Sequence, residues 1–226
     1  MVTGDISPVE GTARRGRRPV TSARQLELIG LRLFTEQGYD ETTIEQIAVA
    51  AGVNRRTFFN YFSSKAAVVL HTYDDAINAL RAGFADIGKD VPLMDAIRQV
   101  VVGISPGSTE DLHEFRIRMN LIVSVPTLRE GAAPYYEAWE RVVSEFAAKR
   151  IGQPADSVFP LAIGGTVLAA ALAANADWVA RADADLTAYL DAALTALGGG
   201  FTPSTLIPPA RLGRRRTRRS PTRPNE

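Results

Sequence analysis

The sequence predicts an all-α protein in which a small N-terminal domain of three helices precedes a larger helical domain. Apolar residues recur at three- and four-residue spacing along most of the chain, which is the period of helices that bury one face. No segment combines two-residue alternation with an excess of β-branched residues, so we expect no sheet. The length of 226 residues and the apolar content of 46% suffice for a sizeable core.

The first helix is predicted to run from Ser22 to Gly38. Leu26, Leu33 and Phe34 share one of its faces, at the spacing expected of a buried stripe. A glycine at the end of this stripe suits a left-handed C-cap, which ends the helix there.

Two short helices and a long one are predicted next. Thr43 is a good N-cap for the second helix, and Gln46 completes a capping box three residues later. Asn54 can cap a third helix that runs to about Phe62. A long fourth helix is expected to begin near Lys65, after a pair of serines that can cap it.

The rest of the chain is also predicted to be helical. Pro92 and Pro126 stand where helices would begin, since proline is tolerated in a first turn. Residues 157–176 hold no charge and are as long as a membrane span, yet alanine and glycine drive insertion weakly. We therefore predict a buried helix there and no membrane partner. Residues 183–197 carry an amphipathic stripe that is typical of a core-facing helix.

Positive charge is concentrated at the two ends of the chain, although the formal net charge is only +1. Residues 1–20 hold four arginines against two acids, and residues 201–226 hold seven arginines against one glutamate. We interpret the first segment as a flexible basic arm and the second as a disordered arginine-rich tail. Basic ends also allow an alternative function, that of a sequence-tolerant architectural DNA-binding protein driven by these tails.

The sequence lacks the residues and spacings that most enzymes and metal sites need. It has no cysteine, which excludes disulfides and thiolate metal ligands and fits the cytoplasm. Its two histidines, His71 and His113, have no partner at metal-ligand spacing. We find no nucleophile signature, phosphate-binding glycine loop or signal peptide. We therefore expect a cytoplasmic protein with no enzymatic activity, cofactor or metal.

The segment from Thr42 to Lys65, TTIEQIAVAAGVNRRTFFNYFSSK, carries the functional signal. Two short helices joined by a turn at Gly52 form a helix-turn-helix, a motif whose second helix enters the major groove of DNA. Arginine can contact guanine through two hydrogen bonds, and asparagine can contact adenine in the same way. The polar side chains that this second helix presents outward are Asn54, Arg55, Arg56, Thr57, Asn60 and Tyr61.

This chain resembles the TetR family of bacterial regulators over about residues 22–70. The matching motifs, in chain order, are Leu33-Phe34, Gly38-Tyr39, Thr42-Thr43, Ile47-Ala48, Ala51-Gly52-Val53, Thr57-Phe58-Phe59-Asn60-Tyr61-Phe62 and Lys65. The resemblance implies a homodimer that binds double-stranded operator DNA and responds to a small-molecule effector. It implies a helix-turn-helix domain at residues 21–66 and a helical ligand-binding and dimerisation domain at residues 67–200.

The resemblance also implies individual DNA contacts. Thr43 and Lys65 would bind phosphate from the starts of helices, and Tyr61 would bind phosphate from the recognition helix. Phe59 stands where the family often has a tyrosine, so a phosphate contact is lost at that position. The residues implied to face base edges or the adjacent backbone are Arg55, Arg56, Thr57 and Asn60.

Dimerisation is also expected on physical grounds. One short recognition helix covers few base pairs, so useful specificity needs two half-sites about 34 Å apart or a multiple of that distance. The helix at residues 157–176 and the stripe at residues 186–197 are predicted to pair with their symmetry mates as a four-helix bundle.

The candidate ligand contacts are aromatic or flexible side chains, with one arginine. They are Phe115, Arg116, Met119, Tyr136, Trp139 and Trp178. Such residues suit an apolar cavity with polar tips, and each equally suits the core. The segment around Arg116 and Arg118 resembles family members proposed to bind acyl-CoA-like molecules, and either arginine would meet a phosphate or carboxylate unless it lies in a surface salt bridge. We expect a repressor that a small apolar or amphipathic ligand releases from its operator, with activation left open.

Overall fold

The computed structural model describes residues 21–106, 109–181 and 185–200, and within these ranges it contains ten helices and no strand. This confirms the predicted all-α class. The predicted arm at 1–20 and the predicted tail at 201–226 lie outside the described residues. The helices are α1 (Ala23–Gln37), α2 (Ile44–Ala50), α3 (Arg55–Phe59), α4 (Ala67–Leu70), α5 (Thr72–Asp86), α6 (Leu93–Gly103), α7 (Thr109–Ser124), α8 (Pro126–Ile151), α9 (Val158–Ala180) and α10 (Leu186–Gly198).

The first two helices begin at the caps that the sequence predicts. Ser22 Oγ accepts a hydrogen bond from the backbone N–H of Gln25 at 3.1 Å, and α1 ends at Gly38, whose φ is +94°. In α2 the capping box is complete. Gln46 N donates to Thr43 Oγ1 at 3.2 Å, and Thr43 N donates to Gln46 Oε1 at 2.6 Å. These bonds satisfy backbone donors that a helix start leaves without a partner inside the helix.

The third and fourth predicted helices are shorter than expected. The α-helical part of α3 ends at Phe59, and a hydrogen-bonded turn continues the chain to Phe62. The predicted long fourth helix is divided at His71 into the short α4 and the longer α5. Ser64 Oγ, one of the two predicted caps, accepts from the backbone N–H of Ala67 at 3.1 Å.

The three N-terminal helices share their core with the larger part of the chain. Leu26, Ile47 and Phe58, from α1, α2 and α3, are fully buried in one apolar cluster. The members of the same cluster that come from α7 and α8 are Met119, Leu121, Ile122, Leu128 and Ala132. Movement of α7 or α8 therefore bears directly on the packing of the small helices.

A second apolar cluster joins α5, α6, α8, α9 and α10. Leu186, Leu190 and Leu194 of α10 are buried in it, because α6 and α9 of the same protomer pack over that face. These three leucines are therefore covered within the protomer and are not available to a symmetry mate, while pairing through the rest of α10 stays a prediction. Only the opposite face of α10 remains on the surface.

Helix α9 is long and apolar enough to cross a membrane, judged by length and composition alone. One of its faces is buried against α8 and α10, which agrees with the predicted core helix for that face. The opposite face is exposed, and its side chains are mostly small and apolar. The exposed residues on it are Phe159, Ala162, Thr166, Ala169, Ala173 and Ala176.

Candidate nucleic-acid interface and apolar cavity

Helix α3 is held with one polar face outward by contacts at its start and on its inner side. Asn54 Oδ1 accepts from Thr57 N at 2.8 Å and from Thr57 Oγ1 at 3.1 Å, which fixes the N-cap. Phe58 is fully buried among α1, α2 and α4, and its ring lies against that of Phe62. The turn before the helix requires Gly52, whose φ is +68°, a conformation that other residues rarely adopt.

The predicted base-reading residues lie on the exposed face of α3. Arg56 and Asn60 are exposed. Arg55 Nη1 lies 2.7 Å from Glu45 Oε1 of α2, and its guanidinium lies 5.4 Å from the ring centre of Phe59. The Arg55–Glu45 ion pair is solvent-exposed and so contributes little stability, which leaves the guanidinium free to exchange partners. Thr57 is half-buried, and its hydroxyl proton is directed to Asn54.

Two predicted phosphate contacts have protein partners in this structure. The Tyr61 hydroxyl donates to the carbonyl of Thr21 at 3.0 Å, which ties the end of the recognition segment to the start of α1. Lys65 Nζ donates to the carbonyls of Tyr39 at 2.7 Å and Thr42 at 2.9 Å, and it lies 4.2 Å from the Tyr39 ring centre. A phosphate contact by either residue would have to share or replace these bonds.

The third predicted phosphate contact, Thr43, uses its hydroxyl oxygen as an acceptor within the protein. Its Oγ1 accepts from Gln46 N within the capping box, so the oxygen is oriented while its own hydrogen is not directed by that bond. Thr43 also stands at the N-terminus of α2, where backbone N–H groups favour a bound phosphate.

A buried charge cluster joins the small helices to α7. The guanidinium of Arg118, on α7, forms an ion pair with the carboxylate of Glu27, on α1. It also donates to the carbonyls of Val68 at 2.9 Å and Val69 at 3.0 Å, in α4. Arg24 of α1 and Glu114 of α7 add a bidentate pair with two N–O distances of 2.5 Å.

Burial dominates the electrostatics of Arg118, which is only 4% exposed. Desolvation, with a smaller contribution from the like charge of Arg24, lowers the pKa of Arg118 to about 10. The group stays protonated at neutral pH. The charge is therefore held in the interior by Glu27 and by two carbonyls, and not in a surface salt bridge.

An apolar cavity of about 120 Å³ lies between α5, α6, α7, α8, α9 and α10. Four of the six predicted ligand contacts line it, and they are Phe115, Met119, Tyr136 and Trp139. Arg116 and Trp178 are not among the lining residues, so a ligand contact by either of these two stays a prediction. The Arg116 guanidinium instead stacks on the buried Trp178, at 4.2 Å from its ring centre.

The cavity wall is uncharged throughout its described lining. Its polar groups are hydroxyls, the indole N–H of Trp139 and one amide. The Tyr73 hydroxyl donates to the Tyr136 hydroxyl at 3.2 Å, and burial raises the pKa of Tyr73 well above its ordinary value, so this phenol stays neutral. Ser105 and Asn175 complete the polar part of the wall.

Comparison with known proteins gives matches in both parts of the chain. Residues 30–72 match the family model described as bacterial regulatory proteins, tetR family, and residues 91–202 match the model of the MftR C-terminal domain. MftR of Mycobacterium tuberculosis, a regulator of mycofactocin biosynthesis, is 29% identical over 84% of this chain and 96% of its own. The HTH-type transcriptional regulator TcmR of Streptomyces glaucescens is 32% identical over 80% of this chain and 84% of its own.

A solved structure agrees with the fold over most of the chain. FadR of Thermus thermophilus, a transcriptional repressor crystallised with lauroyl-CoA, superposes with a TM-score of 0.56 at 22% identity. The match covers 80% of this chain and 95% of that protein.

Proposed function

Because the chain belongs to the TetR family of bacterial transcriptional regulators, we propose that it is a homodimeric repressor that a small apolar or amphipathic ligand releases from its operator. One observation carries this proposal. Helix α7 lines the apolar cavity and also holds α1 and α4, the helices that support the recognition helix. The proposal places the protein in the cytoplasm with its operator and assigns it no enzymatic activity.

Sequence readout is assigned to the exposed face of α3. Arg55, Arg56 and Asn60 are the side chains with the chemistry to contact guanine and adenine edges. Thr43 is proposed to bind phosphate, and Tyr61 and Lys65 are proposed to do so in addition to their internal bonds. The Thr57 hydroxyl donates to Asn54, so we assign Thr57 to orienting this face of α3 and to contacting the adjacent DNA backbone.

The dimer is assigned to the exposed face of α9. A 23-residue helix with its apolar, small-residue face in water is unusual for a protein that acts as a monomer. Thr166, the polar residue in the middle of this face, donates its hydroxyl to the carbonyl of Ala162 at 2.6 Å and so adds no unpaired donor to an interface. Phe159, 59% exposed, would supply the large apolar side chain at one end.

Ligand binding is proposed to enlarge the cavity. Pockets that hold drug-sized ligands measure about 300–1,000 Å³, whereas this one measures about 120 Å³. We therefore propose that a ligand of ordinary size displaces part of the wall when it binds. Phe115 and Met119 of α7 separate the cavity from a cleft beside Arg24 and Arg118, and they line both spaces.

Displacement of α7 would reach the DNA-binding helices through the buried charge cluster. Arg118 and Glu114 lie on the same helix as Phe115 and Met119, so a shift of that helix changes their distances to Glu27, Arg24 and the α4 carbonyls. The two recognition helices of a dimer would then lose the spacing that the operator requires. Coupling of this kind is worth about 1–3 kcal/mol in typical allosteric proteins.

The ligand is proposed to be apolar in the part that occupies the cavity, since the described wall there holds no charged side chain. An acyl chain meets this condition, and the lauroyl-CoA complex of the structural relative supports an acyl-CoA-like molecule as one candidate. Its phosphates would have to lie outside the cavity. Arg116, which was expected to meet them, is stacked on Trp178.

Selection of bound sequences from random double-stranded DNA at physiological salt tests the first half of the proposal. We expect a palindromic motif, because a symmetric dimer reads two equal half-sites. Titration of the complex with lauroyl-CoA then tests release, and we expect the operator affinity to fall by at least tenfold. Enrichment of no motif would contradict sequence-specific binding. Octan-1-ol serves as a second, smaller amphipathic probe. If a motif is enriched but neither lauroyl-CoA nor octan-1-ol weakens its binding, ligand release is contradicted.

A further inference from the structure

The amide of Asn175 stands out in the wall of the cavity. It lies on α9, within an uncharged stretch of mostly apolar residues, and it lines the cavity together with Leu168, Ala171 and Leu172. Its Oδ1 atom is buried, and within the described residues no donor forms a hydrogen bond with it. A buried acceptor without a donor costs about 1–3 kcal/mol, so its presence in an apolar wall needs a reason.

Dimerisation through α9 cannot supply the missing donor. The lining residues recur at three- and four-residue spacing along one side of α9. The exposed residues, such as Ala169 and Ala173, recur along another side. Asn175 is two positions from Ala173, which places the two side chains about 160° apart around the helix axis. A second protomer on the exposed face would therefore not reach the amide oxygen.

No hydrogen bond joins it to the other polar groups of the described wall, which are the Tyr73, Tyr136 and Ser105 hydroxyls and the Trp139 indole N–H. The Tyr73 hydroxyl is committed to Tyr136, and no charged side chain is among the described lining residues. The cavity thus combines an uncharged, mostly apolar wall with one buried acceptor that no donor among the described residues satisfies.

We propose that the part of the effector inside the cavity is uncharged and mostly apolar, and that it carries a hydroxyl or N–H group that donates to Asn175 Oδ1. This inference rests on the proposed function, since it takes the cavity as the effector site, and it adds the hydrogen-bonding class of the ligand. Sites built around a polar group reject analogues that lack the matching group, because the buried partner then stays unpaired. The inference predicts that, among ligands of similar shape, those with the donor bind more tightly.

A pair of isomeric probes isolates the donor. Octan-1-ol and methyl heptyl ether have the same composition and similar shape, but only the alcohol can donate a hydrogen bond. The two tryptophans, Trp139 in the cavity wall and Trp178 beside Phe115, report binding through their fluorescence in the full-length protein without DNA. We expect the alcohol-to-ether affinity ratio to fall about tenfold from the wild type to Asn175→Leu, the size of one buried hydrogen bond.

A matched variant controls for lost contact area. Leu172→Ala removes apolar surface from the same wall and should weaken both probes by similar factors, which leaves their ratio unchanged. An equal ratio in the wild type and Asn175→Leu would overturn the donor inference while leaving the cavity as the ligand site. Failure of both probes to bind the wild type would overturn the cavity as the effector site and this inference with it.

Thermal unfolding without ligand gives a second, independent measure. If Asn175 Oδ1 is held without a donor, Asn175→Leu should raise the melting temperature, because an apolar side chain of similar size removes the buried unpaired atom. A lower melting temperature together with an unchanged probe ratio would show that the amide has a structural partner, and it would overturn the inference.

Discussion

Gly164 of α9 lies directly against Ser144 of α8, so closely that a Cβ atom added to the glycine would stand 2.2 Å from Ser144 Oγ. The same atom would stand 2.8 Å from the backbone carbonyl oxygen of Glu140. A serine side chain can turn away, but a helix backbone cannot move without disturbing its neighbours. The close packing of α8 on α9 therefore depends on the missing side chain at position 164.

Gly164→Ala should lower the free energy of unfolding by about 1–3 kcal/mol, as overpacked core substitutions do. Gly165→Ala is its matched control, because a Cβ there would have its nearest contact at 3.5 Å, with a Glu140 side-chain oxygen. Alanine is the better helix former by about 1 kcal/mol, so the control should be neutral or stabilising. Urea unfolding of the two variants measures both values, and equal stabilities would contradict the close contact.

Arg118→Met should destabilise the protein by about 3 kcal/mol, since it leaves Glu27 as a buried charge that has lost its main partner. Replacing both residues, as in Glu27→Leu with Arg118→Met, should restore part of that loss because no unpaired charge remains. Thermal unfolding of the single and double variants checks this order. A double variant less stable than Arg118→Met alone would argue against the ion pair.

Lys65→Ala should lower the melting temperature, because the ammonium braces the turn between α1 and α2 through two carbonyl oxygens. The expected loss is about 1–2 kcal/mol, in the range of hydrogen bonds made by charged groups. The salt dependence of operator binding tests the proposed phosphate role separately. Loss of one phosphate contact reduces the slope of log affinity against log salt by about one, whereas a brace alone leaves the slope unchanged.

Arg56→Ala should weaken binding to the selected operator by about 1–3 kcal/mol and relax the base preference at one position of each half-site. Arg55→Ala should have the same kind of effect, and it also frees Glu45 from a surface ion pair of small energy. Binding to a series of single-base operator variants measures the preference. A uniform loss on every sequence would assign these arginines to phosphates instead of bases.

Ala169→Glu should dissociate the proposed dimer, because it puts a charge and its symmetry mate into the middle of an apolar helix face. Analytical ultracentrifugation gives the mass, and loss of operator affinity should accompany the monomer. Asp177→Glu, an exposed change near the end of the same helix, keeps the charge and serves as the control. A variant that remains dimeric would move the interface away from this face.

Local features of the fold were predictable from the sequence, whereas distant pairings were not. The cap at Ser22 and the box between Thr43 and Gln46 join residues three apart, so the sequence shows both partners together. The buried charge cluster joins residues about ninety positions apart. One signal was nevertheless present. Glu27 stands three residues before Gly30 and seven before Phe34, on the apolar face of α1, where a charge needs a buried partner.

The predicted ligand contacts also divide into those that the local helical period explains and those that only the assembled fold reveals. Phe115 and Met119 are four residues apart, and both line the cavity, as the helical period predicts. Arg116 is adjacent to Phe115 and therefore points about 100° away around the helix, which explains why it reaches Trp178 instead. Asn175 was not among the predicted contacts. An amide within an uncharged, mostly apolar stretch was its sequence signal, and the assembled wall shows that the residue lines the cavity.

The division of α4 from α5 at His71 also escaped prediction, since no proline or glycine marks the break. The carbonyls of Val68 and Val69, just before it, are the ones that accept hydrogen bonds from Arg118. Tertiary contact with a side chain fifty residues away thus accompanies the break, and the local sequence alone holds no trace of that contact.

The placement of the charge cluster also limits how such regulators can be recombined. A chimera that joins residues 21–66 of this protein to the ligand domain of a relative would separate Arg24 and Glu27 from Arg118 and Glu114. In the chimera, Arg24 and Glu27 would face the two side chains that the relative has at the positions of Glu114 and Arg118. Exchange of DNA-binding domains between such regulators should therefore succeed only when all four residues are transferred, or when the recipient protein already has the same four.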